Sequence, residues 1–179
     1  GGGVIGIEFA SFFNSLGVQV TVIEMLDEIL GGMDKELSAL LRAEYAKRGI
    51  KFMLSTKVVS LAEASSEDGK PQVQVNFENA EGTGSVLAEK LLMSVGRHPV
   101  TKGFGLENLE LKRTERGNIC TNEQMQASAP GVYICGDLTG YSLLAHTAVR
   151  EAEVAVHTIL GKKDVMSYWA IPGVVYTNP

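Results

Sequence analysis

The chain opens on Gly1-Gly2-Gly3-Val4-Ile5-Gly6, with glycines at all three fixed positions of a G-x-G-x-x-G pattern. Each position answers a separate physical demand. Gly1 permits a tight turn, Gly3 lets backbone come against a pyrophosphate, and Gly6 lets a following helix lie close to a sheet. A helix starting there turns free N–H groups and the positive end of its dipole toward phosphates. Glu24 stands about 20 residues on, at the end of a β-branched run, where a carboxylate can accept hydrogen bonds from both ribose hydroxyls. The same carboxylate would repel a 2′-phosphate, which favours NAD over NADP. The plainer alternative is a glycine-rich helix start with a solvated Glu at a strand end. Motif, strand, spacing and acid together favour the dinucleotide.

A second constellation is Val132-Tyr133-Ile134-Cys135-Gly136-Asp137, followed by Leu143-Leu144-Ala145-His146 at the start of a helix. A carboxylate beyond a strand end can accept a hydrogen bond from a sugar-alcohol hydroxyl, and a helix N-terminus beside it can stabilise an anionic ring. From these residues alone, a turn Asp and an ordinary helical His fit equally well. Cys120 and Cys135 match neither a metal knuckle nor a C-x-x-C redox pair. They read as two buried small hydrophobes in a reducing compartment.

The elements that must position these residues alternate. Residues 4–16 are apolar and proline-free and end at Gly17, which predicts a buried helix. Residues 18–24 predict a strand buried on both faces. A second helix starts after Asp34, carries Leu37, Leu40, Leu41 and Tyr45 on one face, and stops at Gly49. Residues 50–54 form a short strand. This rhythm predicts an α/β fold with a parallel sheet. Residues 56–61, 72–77 and 85–89, separated by polar loops, predict an antiparallel meander. Residues 91–96 read as a continuous apolar strand ending in glycine. A loop-like stretch to Pro130 leads to a short strand over 132–135. A last helix spans 143–160, capped by Ser142 and closed by Gly161, and residues 171–176 read as a strand just beginning. The glycine fingerprint should itself follow a strand, so further residues are expected upstream of Gly1.

Composition bounds the function. The 179 residues carry 16 Lys+Arg and 21 Asp+Glu, a net charge of −5. With no basic run, nucleic acid and anionic membrane surfaces are excluded as expected partners. Hydrophobic content of 45% and charged content of 21% belong to a globular chain. No apolar stretch approaches the roughly 18 residues of a membrane span. The start GGGVIGIE has no basic n-region of a signal peptide.

In order along the chain, GGGVIGIEFAS, VTVIE, STKV, SVGRHP, GVYICGDLTG, LLAHTAVREAE and IPGVVYTNP resemble the flavoprotein disulfide reductases. These are the class I pyridine nucleotide-disulfide oxidoreductases, and the dihydrolipoyl dehydrogenase branch is the most similar. The resemblance implies that Gly1, Gly3, Val4, Ile5 and Gly6 hold the NAD pyrophosphate and Glu24 the adenosine ribose. Glu8, Val58 and Gly96 would line the rest of the nicotinamide site. On the FAD side, Asp137 would bind the ribityl chain, and Leu143, Leu144, Ala145 and His146 would place backbone groups at the isoalloxazine ring. A basic residue replaces the acid of Glu24 in glutathione-reductase-like members, so Glu24 argues against that branch. Mercuric reductase and similar relatives share the other features.

The resemblance also implies what these residues lack. The family's C-x-x-x-x-C pair and first flavin-binding segment are expected upstream, and its His-Glu pair in a C-terminal dimerisation domain. Cys120, Cys135, His98, His146 and His157 match none of these, so no catalytic residue and no metal site is assigned. The expected organisation is a Rossmann-like NAD-binding domain over 1–97, with a parallel sheet plus the meander. Part of a FAD-binding domain follows over 98–165, and the start of an interface domain over 166–179. The implied function is that of a fragment, inactive alone, of a homodimeric flavoenzyme. That enzyme would oxidise the dihydrolipoyl group of a lipoyl-bearing protein, in a 2-oxoacid dehydrogenase or glycine cleavage complex, and reduce NAD⁺. A bacterial cytoplasm or mitochondrial matrix is the expected location. The alternative is a non-catalytic nucleotide-binding module, complete as it stands.

Overall fold

In the computed structural model, which describes residues 1–178, the first helix begins where Gly3 holds an extended backbone (φ −70°, ψ 177°). This helix, α1 (Val4–Ser15), buries the stripe Gly6, Ile7, Ala10 and Ser11. Its burial is one-sided, contrary to the expectation. Phe9, Phe12, Phe13 and Leu16 lie on the exposed face, where Phe9 and Phe13 stack with ring centroids 6.0 Å apart. Apolar density set the expectation, but only the stripe through Ile7 and Ala10 packs into the core. Gly17, at φ +82°, ends the helix.

Strand β1 (Thr21–Ile23) pairs in parallel with β2 (Lys51–Met53), with Val22 opposite Phe52. β1 is shorter than residues 18–24, and only Val22 is fully buried, because one short parallel partner covers it. Between them runs α2 (Lys35–Lys47), whose first turn is capped by the Asp34 carboxylate accepting from the N–H groups of Glu36 and Leu37. The inward stripe of α2 is Ser38, Leu41 and Tyr45. Leu37 and Leu40 are 65% and 60% exposed, against expectation. Ser38 is tolerated inside because its hydroxyl donates to the Asp34 carbonyl at 2.9 Å. Asp34→Ala is expected to destabilise the protein by about 1 kcal/mol, read as a lower denaturation midpoint; an unchanged midpoint would contradict the cap.

The meander forms as expected. β3 (Lys57–Ser65), β4 (Pro71–Asn79) and β5 (Gly82–Ala88) pair in sequence order, antiparallel, with an irregularity between Val58 and Ser60. Residues 91–96 do not form the expected strand. Leu91, Leu92, Met93 and Val95 are exposed, and no described strand pairs with the segment. Instead the Ser94 hydroxyl donates to the Gly1 carbonyl at 3.0 Å. The core of this unit gathers Ile7, Val22, Ile29, Leu30, Tyr45 and Ile50. The described residues 173–178 lie on the same unit. They form no strand; the Tyr176 N–H donates to Glu8 at 2.8 Å and the Tyr45 hydroxyl to the Asn178 carbonyl at 3.0 Å.

Residues 97–172 form a second unit. Its loops are joined by single bridges, Arg113 to Ile119 and Gln126 to Tyr133, so the expected strand over 132–135 reduces to one bridge. A 3-10 turn (Gly136–Leu138) follows, then α3 (Ala145–Ile159). Ser142 does not cap α3, since its hydroxyl is bonded to that of Thr147 at 2.9 Å. Leu144 occupies the cap position and gives no side-chain bond. Gly161, at φ +70°, closes the helix as expected. Met125, Val154, Ala155 and Met166 form the core. Both cysteines are free thiols, but Cys120 is half-buried and Cys135 exposed, because loops rather than a sheet surround them.

Asp164 ties the chain beyond α3 back to the helix. It accepts from Arg150 at 2.9 and 2.6 Å and bonds His157 Nδ1 at 2.7 Å. The Arg150 bonds first, and His157 second, hold the Asp164 carboxyl far below the usual carboxylate range. A lowered native pKa means that this stabilisation is present above the unfolded value, about 3.9, and is lost as pH falls below it. The difference in denaturation midpoint between the wild type and Asp164→Asn is therefore expected to narrow from about pH 7 to about pH 2. A constant difference would show that the charge is not responsible.

Candidate cofactor-binding site

Two of the three fingerprint glycines are closed in by backbone. A Cβ on Gly1 would stand 2.3 Å from the Ser94 carbonyl oxygen, and one on Gly6 would stand 2.0 Å from the Gly1 carbonyl oxygen and 2.7 Å from Ser94 Oγ. Gly3 is different: nothing lies within 4 Å of where its Cβ would be. The first backbone bond of α1 runs from the Ile7 N–H to the Gly3 carbonyl at 3.0 Å. The N–H groups of Val4, Ile5 and Gly6 precede it, and no side chain caps them. Such groups form an anion site when a phosphate approaches.

Glu24 is brought to this loop. One carboxylate oxygen accepts from the Gly2 N–H at 2.6 Å and the other from the Leu26 N–H at 2.8 Å. A carboxylate offers about four acceptor sites, so two remain for a ligand. Glu8 is half-buried on α1 and engaged by Tyr176. Val58 is exposed on β3, beside the register irregularity. Gly96, at φ +120°, has open space around it, two residues beyond Ser94.

The residues expected at a flavin lie in the second unit. Asp137 is exposed on the 3-10 turn. Arg97 reaches both it, at 3.3 Å, and the Leu143 carbonyl, at 3.3 Å. Leu144 supplies the carbonyl for the first bond of α3, to the Ala148 N–H at 3.1 Å. The N–H groups of Ala145, His146 and Thr147 thus precede the helical ladder without a side-chain cap. The two sets of residues belong to separate units.

Sequence reasoning missed Ser94, Arg97 and Glu151. The first two flank Gly96 in SVGRHP, and that glycine drew the attention. Glu151 is a lone acid on the stripe of α3 that buries Thr147, Val154 and Ala155. Although Cys135 as a whole is exposed, partial desolvation of its sulfur first, and the charge of Glu151 second, push the thiol above its ordinary value, which disfavours the nucleophilic thiolate. Among the described residues no cluster of three or more His, Cys, Asp or Glu could hold a metal, and no helix is long and apolar enough to cross a membrane.

The sequence profile of the pyridine nucleotide-disulphide oxidoreductases matches residues 1–152. The chain belongs to this family. The glycine loop, Glu24, Asp137 and the start of α3 all fall inside the matched stretch. Among curated members of the pyridine nucleotide-disulphide oxidoreductases, the chain is 41% identical over 181 residues to the dihydrolipoyl dehydrogenase of Thermus scotoductus, covering 100% of this chain and 38% of that one. It is 40% identical to the mitochondrial dihydrolipoyl dehydrogenase 1 of Arabidopsis thaliana, covering 100% of this chain and 35% of that one. The crystal structure of LpdA from Mycobacterium tuberculosis superposes with a TM-score of 0.87 at 27% identity, over 99% of this chain and 37% of that one. The chain thus spans well under half the length of these relatives. The fold expectation holds: a mixed α/β chain with a parallel pair and an antiparallel meander, as in its structural neighbours.

Proposed function

We propose that this chain is the NAD-binding domain, about residues 1–97, and part of the FAD-binding domain, about 98–165, of a flavoenzyme. Residues 166–179 would lead into an interface domain. The enzyme would oxidise the dihydrolipoyl group of a lipoyl-bearing protein and pass the electrons to NAD⁺. A 2-oxoacid dehydrogenase or glycine cleavage complex would supply that partner, and the working form would be a homodimer. The observation that carries the reading is the glycine loop clamped to Glu24, with Gly3 left open.

The residues fit both cofactors. Gly3 leaves free the space that a pyrophosphate needs, and Glu24 meets the ribose with spare acceptor sites. On the other side, the Asp137 carboxylate is exposed, and Arg97 engages only one of its oxygens, so a ribityl hydroxyl can be bound. When bound, the nicotinamide and flavin supply the hydride chemistry itself.

The chain's own work is placement. Val4, Ile5 and Gly6 direct N–H groups at the pyrophosphate. Glu24, fixed by the Gly2 and Leu26 N–H groups, orients the adenosine end. The uncapped N–H groups of Ala145, His146 and Thr147 favour negative charge at the ring edge. Fixing each cofactor at its own set of residues lowers the entropic cost of its reaction.

The test is turnover by the purified full-length protein with dihydrolipoamide. NADH formation from NAD⁺, with NADP⁺ a poor substitute, is the expected result. No NADH formation from a flavin-loaded preparation would overturn the reading.

A further inference from the structure

We propose that Glu151 is a positioning residue for the flavin-side turn, fixing how Asp137 is presented and tying that turn to the segment around Tyr168. The inference rests on the flavin reading of Asp137 and α3. Glu151 is 0% exposed. One of its oxygens accepts from the Gly136 N–H at 2.5 Å, and the other from the Tyr168 hydroxyl at 2.7 Å, with the Thr139 hydroxyl 3.4 Å from the latter oxygen.

An acid in an apolar interior is costly unless its oxygens are hydrogen-bonded. Here each oxygen meets a donor from a different segment. Gly136 is left-handed, at φ +77°, and immediately precedes Asp137. With its N–H held inward by Glu151, the next residue faces outward, and Asp137 is indeed exposed. The second oxygen holds Tyr168, whose ring lies 4.9 Å from that of Tyr141. Burial first, and Glu151 second, raise the Tyr168 phenol well above its ordinary value, so it remains a donor throughout the physiological range. Glu151 therefore fixes two loops from one point on α3 and faces no ligand itself.

The test uses the full-length protein and its Glu151→Gln, Tyr168→Phe and Asp137→Ala variants. The readouts are the FAD dissociation constant, the visible circular dichroism of bound flavin, and the thermal midpoint of the apoprotein. Glu151→Gln puts an N–H₂ where an oxygen met a donor. It is expected to weaken FAD roughly tenfold or more and to change the flavin dichroism. Tyr168→Phe removes one donor and is expected to weaken FAD about threefold in the same spectral direction.

If Asp137→Ala weakens FAD while Glu151→Gln binds within about twofold of wild type with unchanged dichroism, the proposal falls and the flavin reading stands. A Glu151→Gln variant that only lowers the apoprotein midpoint is that same negative result. If Asp137→Ala leaves FAD binding unchanged, both fall. Should Glu151→Gln not fold, Tyr168→Phe decides, and wild-type affinity and dichroism in it overturn the proposal.

Discussion

Gly6→Ala is expected to damage fold and dinucleotide binding together, whereas Gly3→Ala is expected to spare the fold and weaken binding alone. The difference follows from what each new methyl group meets. At Gly6 it would stand 2.0 Å from a backbone oxygen, which cannot swing aside as a side chain can. Forced overpacking of this kind costs about 1–3 kcal/mol, and the shift needed to relieve it moves the loop that presents the Val4, Ile5 and Gly6 N–H groups. At Gly3 the backbone already has φ −70° and ψ 177°, which alanine adopts freely, and the space is empty. A methyl there meets nothing in the chain and would intrude only on the proposed pyrophosphate, so a loss of roughly tenfold in NAD⁺ affinity with an unchanged denaturation midpoint is expected. Paired denaturation and NAD⁺ titration of the full-length variants measure both. Undiminished NAD⁺ affinity in Gly3→Ala would place the pyrophosphate elsewhere.

The features legible in the sequence are those decided within a few residues of themselves. The Asp34 cap, the terminating Gly17, Gly49 and Gly161, and the three-strand meander depend on local chemistry and short loops, and all form. The glycine loop and Glu24 were legible as a pattern, since turn, helix start and acid have fixed spacing. Features decided by distant partners were not. Leu37 and Leu40 look like core residues until the neighbour of α2 proves to take Ser38, Leu41 and Tyr45 instead. Residues 91–96 have a strand's composition but no ladder partner among the described residues. Arg97 and Glu151 act across 40 and 15 positions; both sit inside the quoted segments SVGRHP and LLAHTAVREAE, but their partners lie too far along the chain for local spacing to assign them a role.

The second large effect is expected at Glu24. Its carboxylate accepts from the Gly2 and Leu26 N–H groups, so Glu24→Arg removes more than the proposed ribose contact. It also releases the glycine loop and places two donors opposite an added cation. NAD⁺ affinity should fall by about a hundredfold or more, since lost hydrogen bonds to a charged group and an unpaired N–H act together. NADP⁺ should gain relative to NAD⁺ through the guanidinium's attraction for the 2′-phosphate, while its absolute affinity stays limited by the loosened loop. Glu24→Gln keeps one acceptor oxygen and should lose less. Titration of both nucleotides into the full-length variants measures this, and an unchanged NAD⁺ to NADP⁺ ratio in Glu24→Arg would contradict the role.

The contact between Ser94 and Gly1 bears on the order in which the molecule assembles. The meander closes through short turns, so its contacts are local and form early. The glycine loop is held by the nearer bonds of Gly2 with Glu24 and Leu30, and also by Ser94 from 93 positions away, a closure with a larger entropic cost than a hairpin turn. The Ser94 contact is therefore expected among the later contacts of its unit to form and the earlier ones to loosen. Amide exchange is accordingly expected to be faster at Gly2 than at Val75 in the meander. A dinucleotide bound at the proposed site would stabilise this long-range closure by mass action, in proportion to its concentration over its dissociation constant.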